Sequence, residues 1–437
     1  MGNPPSMLPY LVAALALVLA VFAGAAFDSL LKGCFELRRS LRATSYNFDS
    51  VLLKSTLVPP ASVLCLAFDA SEKSRGLVRR LLDFHFGKHE VVLVLNAPTP
   101  EELACWTREF HLYRLPRVMS EIRPTAPIRG CYVSSDPIRF VVLDKEAGSV
   151  ADGLNAAVNA AQFPIIGLVD AEAEFIPECM LRMIRPMLAD WDRTMAVCGV
   201  APPDPAPGLA GSLGALEALR LWLGRCAALS AWNRLLPVPG ACMLVKREAI
   251  AAVGGFRGGI TALFLELHAA NRTRAPRQTV AFVATPVSAR PAAATWSDLR
   301  RQATRDQRQL GAAMRQLGPG PVREFLGLYC IRGLWPLVET AAYLVAAYGW
   351  ISGAVPPDLA ALVLVVSVGG GIVTSMAAVV LRELAEPSGV APEALGALCL
   401  LTVPENLGYR QVRNLWLIAG FFAGLWTGRA GKRGEAE

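Results

Sequence analysis

Two carboxylates, Asp170 and Glu172, directly follow a short apolar run, Ile165–Val169. We interpret this run as a buried strand of an α/β sheet, and the carboxyl ends of parallel strands border the ligand crevice. Residues two apart on an extended chain point to the same side. Two carboxylates so placed suit Mg²⁺ or Mn²⁺ carrying a diphosphate. A solvated acidic turn explains this stretch equally well when it is considered alone.

The composition favours a soluble domain fixed to a membrane. Hydrophobic residues make up 53% of the 437 residues and charged residues 18%, and the mean hydropathy is +0.39. A chain of this composition is too apolar for an ordinary soluble protein and too highly charged for a pure transporter. The net charge is +7, and basic residues beside apolar runs favour an anionic lipid surface over nucleic acid. The ten cysteines form no CxxC motif, and we interpret them as reduced core residues.

Apolar runs near both ends predict the membrane part. Residues 8–27 have bilayer-spanning length, and basic residues follow them, which places the N-terminus outside and argues against a cleaved signal peptide. Residues 383–437 contain either a fourth span or a kinked interfacial pair. The predicted organisation is a first span (1–31), a basic linker (32–60), an α/β domain (61–294), an amphipathic interfacial helix (295–324), a transmembrane hairpin (325–382) and a C-terminal membrane or interfacial segment (383–437).

Short apolar strands alternate with amphipathic helices in the α/β domain, which predicts a mainly parallel sheet. The sequence lacks both GxGxxG after the first strand and GxxxxGK[ST], which argues against a dinucleotide fold or a P-loop. The predicted strands are 61–68, 90–95, 139–143 and 165–169, and the predicted helices are 72–86, 100–111 and 150–162.

Six motifs in order resemble those of the membrane-bound family 2 glycosyltransferases, the group of the cellulose, hyaluronan and poly-N-acetylglucosamine synthases. The motifs are Lys145 with Gly148 and ADGLN (151–155), DAE (170–172), PGACMLVKREAI (239–250), VGGF (253–256), QATR (302–305) and PENLGYRQ (404–411). The resemblance implies a GT-A fold, an inverting transfer of a hexosyl group from a nucleotide sugar such as a UDP-sugar, and a divalent cofactor, Mg²⁺ or Mn²⁺.

The resemblance also implies roles for individual residues. Asp170 and Glu172 correspond to the metal site. The implied donor-binding residues are Asp69, Asn96, Lys145, Asp170, Gln302 and Arg305, and the implied acceptor-side residues are Gly240, Ala241 and Cys242. Lys145 is equally well explained as a lysine at the edge of the core.

Three positions depart from the family pattern. The second strand ends at Asn96 without the usual Asp pair, and Asp306 replaces the Trp of Gln-x-x-Arg-Trp. No carboxylate stands near Gly259, where the family has its general base, and Glu266 is the nearest catalytic candidate in sequence. The alternative to an active enzyme is therefore a catalytically inactive subunit that binds nucleotide or polysaccharide in a synthesis or export complex.

The resemblance and the charge pattern together predict a multi-pass protein of the bacterial inner membrane with a cytoplasmic catalytic domain. The expected partners are a nucleotide-sugar donor, a glycan or lipid acceptor, membrane lipids and further polysaccharide synthesis or export subunits, but no nucleic acid. A transporter is disfavoured because the predicted cytoplasmic domain is too large.

Overall fold

The computed structural model describes most of the chain, and several sequence features lie outside its described residues. Among these are Glu172, Pro239, the first residues of the predicted hairpin (325–332) and the basic C-terminus (427–437). The described residues are 7–44, 52, 55–67, 69–116, 118–135, 139–170, 173–199, 207–237, 240–272, 274, 276–283, 288–289, 293–317, 333–385 and 392–426.

A nine-stranded sheet forms the centre of the α/β domain. Its order is β10-β8-β9-β6-β1-β2-β5-β4-β3, and only β4 and β9 run against the others within the described sheet. The predicted mainly parallel sheet is therefore confirmed. The strands are β1 (Ala61–Ala67), β2 (His89–Asn96), β3 (Leu112–Arg114), β4 (Ile128–Ser134), β5 (Arg139–Lys145), β6 (Ile165–Val169), β7 (Glu174–Phe175), β8 (Thr194–Gly199), β9 (Cys242–Lys246), β10 (Thr279–Val283) and β11 (Ser288–Ala289); β7 and β11 form a separate antiparallel pair.

Helices cover both faces of the sheet, so its central strands are apolar on both sides. In β2, Val92 and Val94 face one hydrophobic core, while Val91 and Leu93 face the other. The helices of this domain are α2 (Glu72–Leu82), α3 (Pro100–Glu109), α4 (Val150–Ala160), α5 (Cys179–Ala189), α6 (Gly208–Leu221), α7 (Ala228–Ala231), α8 (Arg247–Ala252) and α9 (Ile260–Asn271), with a π-helical segment, Trp222–Ala227, between α6 and α7.

Side-chain caps start the helices that follow β1, β2 and β5. Ser71 and Ser149 accept backbone N–H groups in the first turns of α2 and α4. Thr99 and Glu102 form a reciprocal capping box on α3, whose first residue is Pro100. These caps fix where each helix begins, immediately beyond the carboxyl edge of the sheet.

Long helices outside the sheet form the remainder of the structure. They are α1 (Leu8–Thr44), α10 (Trp296–Leu317), α11 (Trp335–Ile351), α12 (Pro357–Leu364), α13 (Gly370–Ala385), α14 (Pro392–Pro404) and α15 (Arg410–Trp426). A π-helical segment, Val365–Gly369, joins α12 to α13, and the chain leaves the helical path between α14 and α15 at Leu407 and Gly408.

Two helices of the described chain are long and apolar enough to cross a membrane, over Leu8–Phe35 and Pro357–Leu384. The first helix continues through Thr44, beyond residue 31 where the prediction ended it, so residues 32–44 are helix rather than linker. An Asp28–Lys32 ion pair bridges one turn of α1 there. A Cβ on Gly33 would lie 2.1 Å from the Leu223 carbonyl oxygen, which shows how closely α1 packs on the domain.

The basic helix predicted to lie in the interface packs against another helix. Along α10, the backbone at Thr304 and Arg308 lies so close to α15 that only glycine fits at Gly420 and Gly424, where a Cβ would come within 2.5 Å and 2.2 Å of those carbonyl oxygens. This contact fixes α10 against α15.

Candidate active site

The register of the sheet gathers the predicted site residues at one edge. Asn96 pairs with Lys145, and Val169 pairs with Cys242, so the ends of β2, β5 and β6 and the start of β9 lie side by side. Ala67, the last residue of β1, pairs with Leu95 in the same row. The structure therefore brings four strand ends that carry predicted site residues to one edge of the sheet.

Asp170 is held at this edge by the chain that enters β9. The Gly240 N–H donates to Asp170 Oδ2 over 2.8 Å, and Gly240 has φ +80°, a conformation that favours glycine. Asp170 is half-buried and lines a large cavity together with Ala241. The metal-site and acceptor-side motifs predicted from the sequence are thus in direct contact through Asp170 and Gly240.

Asn96 and Lys145 fasten the loop between β5 and α4. The Asn96 side-chain amide exchanges two 3.0 Å hydrogen bonds with the backbone of Gly148. The fully buried Lys145 ammonium pairs with Asp152 and donates to the Glu146 carbonyl oxygen over 2.7 Å. This geometry agrees with the core-edge alternative for Lys145, and neither Asn96 nor Lys145 is among the described residues lining the cavity.

Asp69 stands at the start of α2 and is exposed. Its Oδ1 accepts hydrogen bonds from the hydroxyls of Ser74 and Ser71, at 2.7 Å and 2.9 Å, and from the Ser71 backbone N–H. These bonds hold the pKa of Asp69 below its usual range, so the group is a carboxylate at neutral pH. In the described structure Asp69 therefore contributes to the helix cap, and it is not among the residues lining the cavity.

Two motifs that are far apart in sequence are connected beside the cavity by hydrogen bonds between Asn155 and Phe256, a contact that we call the joint. Asn155 on α4 donates to the Phe256 carbonyl oxygen and accepts from the Phe256 N–H, both over 2.8 Å. Gly255 has φ +79°, and a Cβ there would lie 2.6 Å from Asn155 Oδ1. The joint sets the path of the following residues, and Arg257 lines the cavity.

The cavity has a volume of about 1120 Å³ and extends from the sheet edge into the long helices. Gln302 and Arg305 of α10, which were predicted to bind the donor, line the cavity, and so does Asp306. The lining therefore brings Asp170 together with the segment that resembles Gln-x-x-Arg, although 132 positions of chain separate Asp170 from Gln302.

Glu266, the candidate base, lies behind this surface. It is 9% exposed, its Oε1 is 3.5 Å from Arg257 Nε, and its Oε2 is buried without a hydrogen-bond partner. Burial raises the pKa of Glu266, partly offset by Arg257 and Arg123. Glu266 is not among the described residues lining the cavity, and its role as the general base stays a prediction from the sequence.

The residues present fit a metal that arrives with a diphosphate. No group of three or more metal-ligating side chains occurs among the described residues, so a closed protein cage is not built there. Mg²⁺ is commonly bound by one or two carboxylates together with substrate phosphates. Asp170 supplies a fixed carboxylate on the cavity wall, which is the donor type such a site needs.

A polar network between the long helices was largely missed by sequence reasoning. Glu339 of α11 is fully buried, and its carboxylate meets Arg410 at 3.1 Å and accepts a 2.9 Å bond from Asn414. Arg413 pairs with Glu217 of α6. The sequence signal for Glu339 was its position as an ionisable residue inside an apolar run.

A similarity to a solved structure covers nearly the whole chain. A mannosyltransferase from Pyrobaculum calidifontis, solved in complex with GDP-mannose and Mn²⁺, matches with a TM-score of 0.53 and 16% sequence identity, covering 95% of this chain and 99% of that chain. The chain therefore shares the fold of this glycosyltransferase, which agrees with the GT-A prediction. At this identity the match shows the fold.

Other comparisons are weaker. Glucosyl-3-phosphoglycerate synthase from Mycobacterium tuberculosis, solved with Mn²⁺, UDP and phosphoglyceric acid, matches with a TM-score of 0.36 and 14% identity over 62% of this chain and 82% of that chain. No protein-family model matches the sequence, and no curated protein sequence matches it either.

Proposed function

We propose that this protein is a membrane-bound glycosyltransferase that transfers a sugar from a nucleotide-sugar donor to a glycan or lipid acceptor. The observation that carries the proposal is the position of Asp170. It lies at the carboxyl edge of a GT-A-like sheet, is fixed by Gly240, and faces a cavity shared with Gln302 and Arg305. The solved mannosyltransferase with this fold holds a nucleotide sugar and Mn²⁺.

In the proposed site, Asp170 holds a divalent cation, with Glu172 as a second carboxylate from the sequence. Such a cation stabilises the charge that develops on a leaving nucleoside diphosphate. Arg305 and Gln302, which line the same cavity, bind the donor, and a guanidinium matches phosphate geometry. Asn96, Lys145 and Asp152 act indirectly, because they fix the loop that borders the site.

The membrane location rests on the two apolar helices. These helices, at Leu8–Phe35 and Pro357–Leu384, precede and follow the catalytic domain in the sequence, which supports membrane anchoring at both ends of that domain. The positive residues that follow the first apolar run support a cytoplasmic position for the domain, at a bacterial inner membrane. We propose a multi-pass arrangement in which α11 and α15 complete the helical layer around the cavity.

Calorimetry of the detergent-purified protein with GDP and UDP tests the donor site. We expect binding that requires Mn²⁺ and that is lost in Asp170→Asn. Asp83→Asn, a change in an exposed carboxylate after α2, serves as the control and should bind like the wild type. Mn²⁺-dependent binding without consumption of GDP-mannose or UDP-glucose would support the inactive nucleotide-binding subunit instead. Absence of nucleotide binding would contradict both the transferase and the nucleotide-binding subunit.

A further inference from the structure

The cavity at Asp170 continues from the sheet edge into a region between the long helices. The described wall of this helical end comes from α1, α11 and the apolar helix Pro357–Leu384, and its apolar residues include Leu19, Phe22, Ala23, Trp335, Val366 and Gly370. Asp170 and these residues border one continuous space of about 1120 Å³. A ligand that fills the whole space therefore needs a polar end at Asp170 and an apolar end between the helices.

The helical end of the cavity reaches the depth of a membrane core. On α1, Leu19 precedes Asp28, the first charged residue after the apolar run, by nine positions. At a helical rise of about 1.5 Å per residue, Leu19 lies roughly 14 Å along the helix from that charge. Gly370 precedes Arg382 by twelve positions, which corresponds to roughly 18 Å. Because a hydrocarbon core is about 30 Å thick, both residues lie near its middle in the proposed membrane arrangement.

The polar side chains that we describe at this end of the wall bond to one another. The fully buried Glu339 carboxylate is 3.1 Å from Arg410 Nε and accepts a 2.9 Å hydrogen bond from Asn414. Tyr343 and Ser367 also donate to this carboxylate. Burying a hydroxyl without a hydrogen bond costs free energy. A glycan chain, which carries many hydroxyls, is therefore disfavoured beside this network, whereas an apolar chain requires no such partners.

The charge of the described wall does not select an anionic ligand. Glu266 lies 3.5 Å from Arg257, and a Glu405 oxygen lies 3.1 Å from Arg220. Together with the four acidic residues of the wall, these two carboxylates equal its arginines in number. The acidic wall residues are Asp170, Glu217, Asp306 and Glu339, and the arginines are Arg220, Arg257, Arg305, Arg308, Arg410 and Arg413. The feature of the cavity that distinguishes one acceptor from another is therefore its apolar end.

We infer that the acceptor is a lipid whose apolar chain lies between α1, α11 and the helix Pro357–Leu384, with its reactive head group at the sheet edge beside Asp170; this inference rests on the proposed glycosyltransferase function. In this arrangement the head group meets the donor at the cytoplasmic edge of the membrane, while the chain stays in apolar surroundings. A water-soluble glycan has no part that fits the helical end.

Vesicles made of lipids extracted from bacterial membranes test the class of acceptor. The vesicles contain the full-length protein, and sugar-labelled GDP-mannose or UDP-glucose is added with Mn²⁺ and soluble oligosaccharides. We expect label in the organic phase that is lost in Asp170→Asn. Anion-exchange separation then assigns the label to neutral or anionic lipids, and either result supports a lipid acceptor.

The same experiment separates failure of this inference from failure of the proposed function. Label confined to soluble glycans, or donor that binds without producing any labelled lipid, overturns the lipid acceptor and leaves the donor site intact. Donor that is neither bound nor consumed overturns the proposed function itself.

Blocking the passage to the apolar end gives a second test. Ala26 lines the cavity on α1, whereas Ala20 is exposed on the same helix and is not among the lining residues, so Ala26→Trp and Ala20→Trp form a matched pair. Because losing the contacts of one methylene in an apolar pocket costs about tenfold or more, we expect Ala26→Trp to reduce lipid labelling at least about tenfold. Its binding of nucleotide and Mn²⁺ should be unchanged, and Ala20→Trp should behave like the wild type. Equal lipid labelling by the two variants overturns the position of the chain.

Discussion

The side chain of Asn155 and the backbone of Phe256 exchange two 2.8 Å hydrogen bonds across 101 positions of sequence. Both groups are buried, so the pair is a fixed joint between α4 and the loop that carries Arg257 to the cavity. The joint explains physically why a Leu-Asn segment and a Gly-Gly-Phe segment occur together in this chain.

Asn155→Ala should destabilise the protein and impair the site. It leaves the Phe256 N–H and carbonyl buried without partners, which costs about 1 to 3 kcal/mol for each unsatisfied group. Thermal unfolding in detergent measures the loss as a lower Tm. Gln162→Ala, at an exposed residue beyond α4, is the control. An unchanged Tm in Asn155→Ala would contradict the role of the joint.

Removal of either partner of the Lys145–Asp152 pair should cost more stability than removal of both. Breaking a buried ion pair from one side typically costs about 3 to 5 kcal/mol, because it leaves an uncompensated charge. We expect Lys145→Met and Asp152→Leu each to lower the Tm strongly, and the double variant to recover part of the loss. A Lys145→Met variant with normal stability and weakened nucleotide binding would instead support direct donor contact.

Glu266→Gln should change how the stability of the protein depends on pH, and the variant should keep its transferase activity. Because the folded state raises the pKa of Glu266, folding favours the protonated form, and this contribution is present at low pH and lost as pH rises through the folded pKa. The Tm of Glu266→Gln relative to the wild type should therefore increase as pH rises from about 4 towards neutrality. A 10² to 10⁴-fold loss of turnover, about that of a general base, would restore Glu266 as the base.

Close packing of α10 on α15 should be necessary for activity. A Cβ on Gly424 would lie 2.2 Å from the Arg308 carbonyl oxygen, so Gly424→Ala must displace the helix that carries Gln302 and Arg305. We expect lower turnover and a lower Tm. Gly396→Ala is the matched control, because a Cβ there meets no atom within 4 Å. Equal behaviour of the two variants would show that α10 adapts without cost.

Local sequence signals predicted the sheet edge well. Continuous apolar runs such as Ile165–Val169 are buried on both faces, and they lie where the sequence placed them. Polar residues that interrupt those runs, including Asn96 and Asp170, therefore mark the edge directly. Such signals need only a few neighbouring residues, which is why they can be interpreted without tertiary information.

Pairings between distant segments could not be predicted in the same way. The antiparallel insertion of β9 beside β6 brings Gly240 to Asp170, and no local pattern specifies that neighbour. The contact of Glu339 with Arg410 also depends on how the long helices pack. Glu266 is a different case, because its place in the sequence predicted a catalytic role, whereas its burial and its contact with Arg257 could not be predicted from the sequence.

The most direct test of the proposed metal site and transferase activity is the transfer of labelled sugar from GDP-mannose or UDP-glucose in the presence of Mn²⁺. The wild type and Asp170→Asn are compared after their Tm values have been shown to be equal. Loss of the cation that stabilises the leaving diphosphate should reduce transfer at least about 100-fold in the variant. Transfer by Asp170→Asn at the wild-type rate would contradict the assignment of the site, and folded wild-type protein that consumes neither donor in the presence of acceptor would contradict its activity.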